Sequence, residues 1–253
     1  MKLLNFGLAA SILVLLFAGC NKDKTDNSPK LIFKFKFDPT QQRLNNFGIA
    51  ESMKSGHAGQ NPTFNTMSAH YIELAPGMLT QLGAGNILYR AEETTTGGSL
   101  AIDFEKAKLA GNNEVFFETP ISKVTPGDYE YLRVSLAYQN FDVNLYYDTV
   151  INYMGTNYPI QTYFPCTVAS FVGFNNYIKN YNVKSQTIAV NGNRAQGYWG
   201  FEATGNYNGV PFNYLLSGQA PAGATTVVNP INATSTIPAG SCLVTGAFNG
   251  GKL

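Results

Sequence analysis

The chain has 253 residues, 13% of them charged, with a formal net charge of +1. So weakly charged a chain has no basic patch or stripe to neutralise phosphates, which excludes a nucleic-acid partner. Aromatic residues at 13% and 25 glycines are the composition of strands joined by tight turns.

The first twenty residues read as an address. Met1-Lys2-Leu3-Leu4-Asn5 is a short positively charged start, an apolar run follows over 6–17, and Ala18-Gly19-Cys20 closes it. Charge, apolar core and small residues in that order predict a secretory signal peptide over residues 1–19. The core of about a dozen residues is too short for a membrane-spanning helix, which needs roughly 20. Ala18-Gly19-Cys20 resembles the lipobox of bacterial lipoproteins, with Phe17 where leucine is usual. The resemblance implies cleavage before Cys20 and its acylation, palmitate included. Two or three such chains anchor stably, at ~0.8 kcal/mol per buried methylene.

Residues 20–30 are then the lipidated cysteine and a polar, flexible tether without aromatics. Cys20-Asn21-Lys22-Asp23 resembles the surface-export signal of Bacteroidota lipoproteins, with Lys24 in the place of a second acid. That implies an outer-membrane anchor with the protein at the cell surface, retention on the periplasmic side being the alternative.

Strand patterning begins at once: Phe33, Phe35 and Phe37 alternate with Lys34 and Lys36, an apolar face backed by a wet one. Further strands are predicted at 69–74, 87–92, 100–104, 115–118, 129–138 and 143–150. Later ones fall at 167–171, 187–190, 198–203, 212–216, 225–228 and 242–248. Turns separate them at Pro76-Gly77, Gly97-Gly98, Gly111-Asn112, Pro126-Gly127, Asn191-Gly192 and Asn208-Gly209. Asn191-Gly192, after a strand, predicts a hairpin, and residues 105–110 predict one short helix. Many short strands at no fixed period make an all-β fold, an antiparallel β-sandwich rather than a propeller or solenoid. Residues 138–214 are dense in Tyr, Phe and Asn, but no linker precedes them. One elaborated domain over 31–253 is therefore expected.

With Cys20 lipidated, Cys166 and Cys242 remain, and in an oxidising compartment they are expected to pair; two buried thiols are the alternative. Catalytic patterns are thin. No Gly-x-Ser-x-Gly elbow and no phosphate-binding loop ending in Gly-Lys-Ser or Gly-Lys-Thr is present. Asp103, Glu105, Asp142, Asp148 and Glu202 could pair as acid and base for glycoside hydrolysis, but no spacing singles any of them out. A non-enzymatic protein is expected, with no cofactor unless a metal.

The only histidines are His57, in a Gly- and Pro-bounded loop, and His70, at the start of a strand. Imidazoles from a loop and a strand can converge on copper or zinc, with Glu73, Met67 or Met53 beside them. The stretch 68–74, then Ala101-Ile102-Asp103-Phe104 and Val124-Thr125-Pro126-Gly127-Asp128-Tyr129, are similar in order to the MbnP-like proteins. These are secreted or periplasmic β-proteins that include copper binders, so the resemblance implies a copper-binding envelope protein. No residue is carried over from it. The aromatic, Asn-rich half points elsewhere. Tyr198, Trp199 and Tyr207 offer ring faces, Asn206 and Asn208 offer amides, and together they suit a glycan or peptide ligand. Asp148-Thr149-Val150 resembles the Bacteroidota O-glycosylation tripeptide, which implies a glycan on Thr149. The expected partners are the membrane through the lipid, and a glycan, a peptide or another envelope protein.

Overall fold

A computed structural model describes residues 28–40, 42, 49–52, 55 and 60–220, together with the backbone of 243–247; at 151 and 153 only the backbone is described. The described strands in chain order are β1 (Lys30–Lys34), β2 (Thr63–Ala75), β3 (Asn86–Arg90), β4 (Glu93–Thr94), β5 (Ala101–Asp103), β6 (Val115–Pro120) and β7 (Tyr131–Tyr153). They continue as β8 (Thr156–Phe171), β9 (Asn176–Asn182), β10 (Thr187–Arg194), β11 (Tyr198–Tyr207), β12 (Val210–Gln219) and β13 (Leu243–Ala247). The fold is all-β. Among the described residues, no helix is long and apolar enough to cross a membrane.

A seven-stranded sheet in the order β12-β11-β8-β7-β2-β3, with β13 also on β7, is the backbone of the molecule. Adjacent residues of a strand point to opposite faces, and β7 shows both. Its Tyr138, Asn140 and Asp142 face a four-stranded sheet, β10-β9-β5-β4. There Tyr138, Ala169, Phe171, Ile178, Tyr181, Val183 and Tyr198 form a buried cluster. Phe141 lies on the other face, opposite Phe64, whose ring stacks on Phe37 at 4.1 Å. That face is covered near β1 by the two-stranded β1–β6 sheet, where Phe33 and Phe35 pack against Phe117 and Phe116.

Three local expectations change. The strands expected at 129–138 and 143–150 are one strand, β7, which runs unbroken for 23 residues. Asn191-Gly192 is not a hairpin but a break in register inside β10, with Asn191 at φ 49°; the strand keeps pairing with β9 beyond it. The helix expected at 105–110 is a single 3₁₀ turn, Phe104–Lys106, after which Ala110 bridges to Met67. The sheets are antiparallel except for one short parallel pairing, Ile102 and Asp103 of β5 beside Asn176 and Tyr177 of β9.

Two hairpins with two-residue turns extend past the four-stranded sheet: Met154-Gly155 joins β7 to β8, and Asn208-Gly209 joins β11 to β12. Both residues of each turn have positive φ, which a type I′ turn requires. The arms touch where Phe164 meets Phe212 edge to face at 4.6 Å.

At the opposite end, a buried ion pair closes the fold. Arg133 is 2% exposed and Glu73 is fully buried, Nη1 to Oε2 being 3.4 Å. Arg133 also donates to the carbonyls of Gln81 (3.2 Å), Met78 (3.5 Å) and Thr80, and Glu73 Oε1 accepts from the Gly85 amide at 2.6 Å. The loop after β2 is thereby tied to β7. A Cβ at Gly85 would stand 2.3 Å from the Leu74 carbonyl oxygen, so only glycine fits there.

Candidate functional site

The inner face of β7 leaves a cleft between the sheets, a cavity of about 400 Å³. Tyr138, Asn140 and Asp142 form its floor, because every second residue of a strand shares a face. Asn65 of β2, Phe104 and Leu109 form one wall; Tyr181, Asn182, Val183 and Lys184, around the β9–β10 turn, form the other.

Its polar groups form one connected ladder. Asn65 Nδ2 donates to Asn140 Oδ1 (2.9 Å) and to Asp142 Oδ1 (3.1 Å). Asn140 Nδ2 donates to the Val183 carbonyl (2.7 Å) and to the Tyr138 hydroxyl (3.2 Å). Thr167 Oγ1 donates to Asp142 Oδ1 at 2.5 Å, and Lys184 Nζ stands 3.8 Å from Asp142 Oδ2. At the mouth, a partly exposed carboxylate oxygen and an exposed ammonium therefore face each other. Burial pushes the Tyr138 phenol above its ordinary value, only partly offset by Asn140, so it stays protonated at neutral pH.

Behind the cleft, Glu202 fixes the turn that carries Lys184. It lies beside Thr167 on β8, which in turn lies beside Asp142 on β7. The Glu202 side chain is 1% exposed. Oε2 accepts from the amides of Lys184 (2.9 Å), Ser185 (3.0 Å) and Gln186 (3.0 Å), and the Ser185 hydroxyl donates to Oε1. Burial raises its pKa, but the Ser185 hydroxyl and the three amides outweigh that and hold it below the usual glutamate value.

The residues singled out from sequence do not assemble into one site. Tyr198 is in the buried inter-sheet cluster, whereas Trp199, the next residue, faces the other side and packs on Gly218. Asn206 and Asn208 shape the β11–β12 turn: Asn206 Oδ1 accepts from the Gly209 amide at 2.7 Å, and Asn208 takes φ 50°. Tyr207, half-buried, starts that turn, nine residues along β11 from Tyr198. Thr149 is half-buried within β7, paired with Ile160.

Cys20, His57 and Cys242 lie outside the described residues. Cys166 is a free, buried thiol whose Sγ donates to the Val143 carbonyl at 3.3 Å, and burial pushes its pKa up. His70 is buried, stacked on Phe174 at 5.2 Å, and its Nε2 donates to Glu93 Oε1 at 2.9 Å. Burial holds its pKa below the ordinary value despite Glu93, so the ring is neutral at pH 7. Glu73 is engaged by Arg133 and Gly85. Among the described residues, no three His, Cys, Asp or Glu side chains are grouped to hold a metal.

The cleft residues had one visible signal. In Asn140-Phe141-Asp142-Val143 polar and apolar residues alternate, which sets Asn140 and Asp142 on one face of the strand. Compared with models of known families, with curated proteins and with solved structures, the chain matches none.

Proposed function

We propose that this chain is a lipid-anchored protein of the bacterial outer membrane, facing the cell surface, that binds a small polyhydroxylated ligand of glycan type without chemically altering it. The observation that carries the binding half is the ladder of Asn65, Asn140 and Asp142 between the Phe104 and Tyr181 rings and Lys184. Amides and a carboxylate give donors and acceptors at fixed spacing, and ring walls suit the apolar face of a sugar. The Asp142 carboxylate is engaged by Asn65 and Thr167, and Glu202, two strands across the sheet from it, has both oxygens engaged by the β9–β10 turn.

The test is a glycan array followed by calorimetry on the best ligand. Asp142→Ala is expected to weaken binding at least ten-fold, because the ladder loses its charged end. Wild-type protein that binds no glycan tighter than ~1 mM overturns the reading.

The anchor half rests on Ala18-Gly19-Cys20. Cys20→Ala is expected to abolish palmitate labelling and release the protein from membranes. Unchanged labelling of that variant overturns it. The two halves fit each other geometrically. Leu31 packs beside Leu74, Val124 and Tyr129, at the start of β7, so the chain leaves the tether at the end away from the hairpin turns. β7 contains about 70 Å of strand at ~3.3 Å per residue, and a ten-residue tether reaches at most ~35 Å. An upright molecule would therefore hold its cleft and arms out from the membrane.

A further inference from the structure

Among the described strands, β12 is an outer one of the large sheet. Its register with β11 is unbroken from Tyr198–Gln219 to Tyr207–Val210, without a bulge, and none of its ten residues is charged. Exposed sheet edges normally carry a lysine, a bulge, a proline or little length, because unpaired backbone groups invite another strand. Several other described edges have such protection. β1 has Lys30, Lys34 and a register shift against β6, while β6 has Glu118 and Pro120. β4 is two residues long, β3 is five and ends in Arg90, and β10 is broken in register and ends in Arg194. Where β7 extends beyond β2 it carries Asp148, and the Gln60 side chain caps it at Asn144 from both directions. Where β8 extends beyond β11 it carries Pro159 and Pro165.

The parity of β12 follows from its two-residue turn, whose flanking pair exchanges hydrogen bonds. Val210, Phe212, Tyr214, Leu216 and Gly218 therefore bond to β11, and the Ala220 amide, next in that parity, donates to Gly197 of the same hairpin. Pro211, Asn213, Leu215, Ser217 and Gln219 turn their backbone outward. The one proline of β12, Pro211, stands at an outward position beside the turn, so it blunts only that end of the edge and costs no bond to β11.

We propose that β12 pairs antiparallel with β12 of a second copy of this chain, about a twofold axis at Leu215, joining two large sheets into one. In that register Leu215 lies opposite the partner's Leu215, and Asn213 lies opposite the partner's Ser217. These outward pairs exchange about six backbone hydrogen bonds, two per pair. Between them Tyr214 and Leu216, 58% and 53% exposed in the single chain, lie opposite the partner's Leu216 and the partner's Tyr214, apolar against apolar. Asn213 and Ser217 can bond side chain to side chain on the other face. No charge on the strand opposes this pairing.

Sedimentation equilibrium of the purified full chain tests the proposal, with a dimer expected at roughly 10–100 µM. Ser217→Pro removes an outward N–H and places a ring on the edge while sparing every bond to β11; it is expected to weaken the dimer at least ten-fold, and Ser217→Ala to leave it intact. If Ser217→Pro does not fold by circular dichroism, Leu216→Lys, on an exposed position, is expected to produce the same loss. A monomeric wild type across that range overturns the proposal. So does a folded edge variant that dimerises as wild type does, since the contact would then lie elsewhere.

Discussion

Arg133→Ala is expected to be the most damaging single substitution among the described residues, lowering stability by about 3–5 kcal/mol. Arg133 sits at 2% exposure with Glu73 fully buried beside it. Removing the cation leaves a carboxylate with the Gly85 amide and no opposite charge, in a place water does not reach. It also frees the carbonyls of Met78, Thr80 and Gln81, which Arg133 holds. Against a total stability of about 5–15 kcal/mol, that is a large fraction, and the melting midpoint should fall by about 10–15 °C. The expected partner result is sharper. Arg133→Met combined with Glu73→Leu removes both charges and should melt closer to wild type than Arg133→Ala, because an unpaired buried charge costs more than none. A midpoint for Arg133→Ala within about 2 °C of wild type would show that the loop after β2 does not depend on this pair.

Glu202→Gln comes second. The carboxylate takes three backbone amides and a hydroxyl in the β9–β10 turn, and hydrogen bonds to a charged group contribute about 1.5–3 kcal/mol each when tested singly. Glutamine keeps one acceptor oxygen and turns an N–H₂ toward groups that also donate. A loss of about 2–4 kcal/mol is expected, given that such bonds are not additive. The pH dependence identifies the cause. Because the folded-state pKa of Glu202 is depressed, its contribution is fully present above the unfolded value near 4.5. It is lost as pH falls through the folded value. Wild type should lose stability steeply below pH 4.5, and Glu202→Gln should flatten that limb. Equal acid limbs in the two proteins would remove Glu202 from this role. Because Val183 and Lys184 line the cleft from the same turn, the variant should also bind the cleft ligand more weakly.

How much was legible in advance depended on range. Phe33-x-Phe35-x-Phe37 declared a strand with one apolar face; the strand itself ends at Lys34, but the three rings do pack on Phe117, Phe116 and Phe64. Asn208-Gly209 declared a turn and is one. Asn191-Gly192 carries the same local preference, and there β10 absorbs the positive φ as an irregularity because β9 pairs with it on both sides. Strands 129–138 and 143–150 read as two because polar Gln139, Asn140 and Asp142 interrupt the apolar pattern. The chain continues as one strand, where Asn140 and Asp142 find partners in Asn65, Thr167 and Val183, all distant in sequence.

By itself, then, the sequence determined the features that depend on neighbours along the chain: a signal-like start ending at Cys20, an all-β composition, alternation of faces, and the tight turns. Only the tertiary structure decided which polar residues act together. Tyr198 and Trp199 are adjacent in sequence yet lie on opposite faces of a sheet, one in a core and one outside it. Asn65, Asn140, Asp142 and Lys184 are spread over some 120 positions, yet they meet in one cleft, because strand pairing sets β2 beside β7 and sheet packing sets the β9–β10 turn above both. His70 shows the same reason in reverse. Its ring became a buried donor to Glu93 because β2 is an inner strand, between β7 and β3, and no local pattern records which strands are inner.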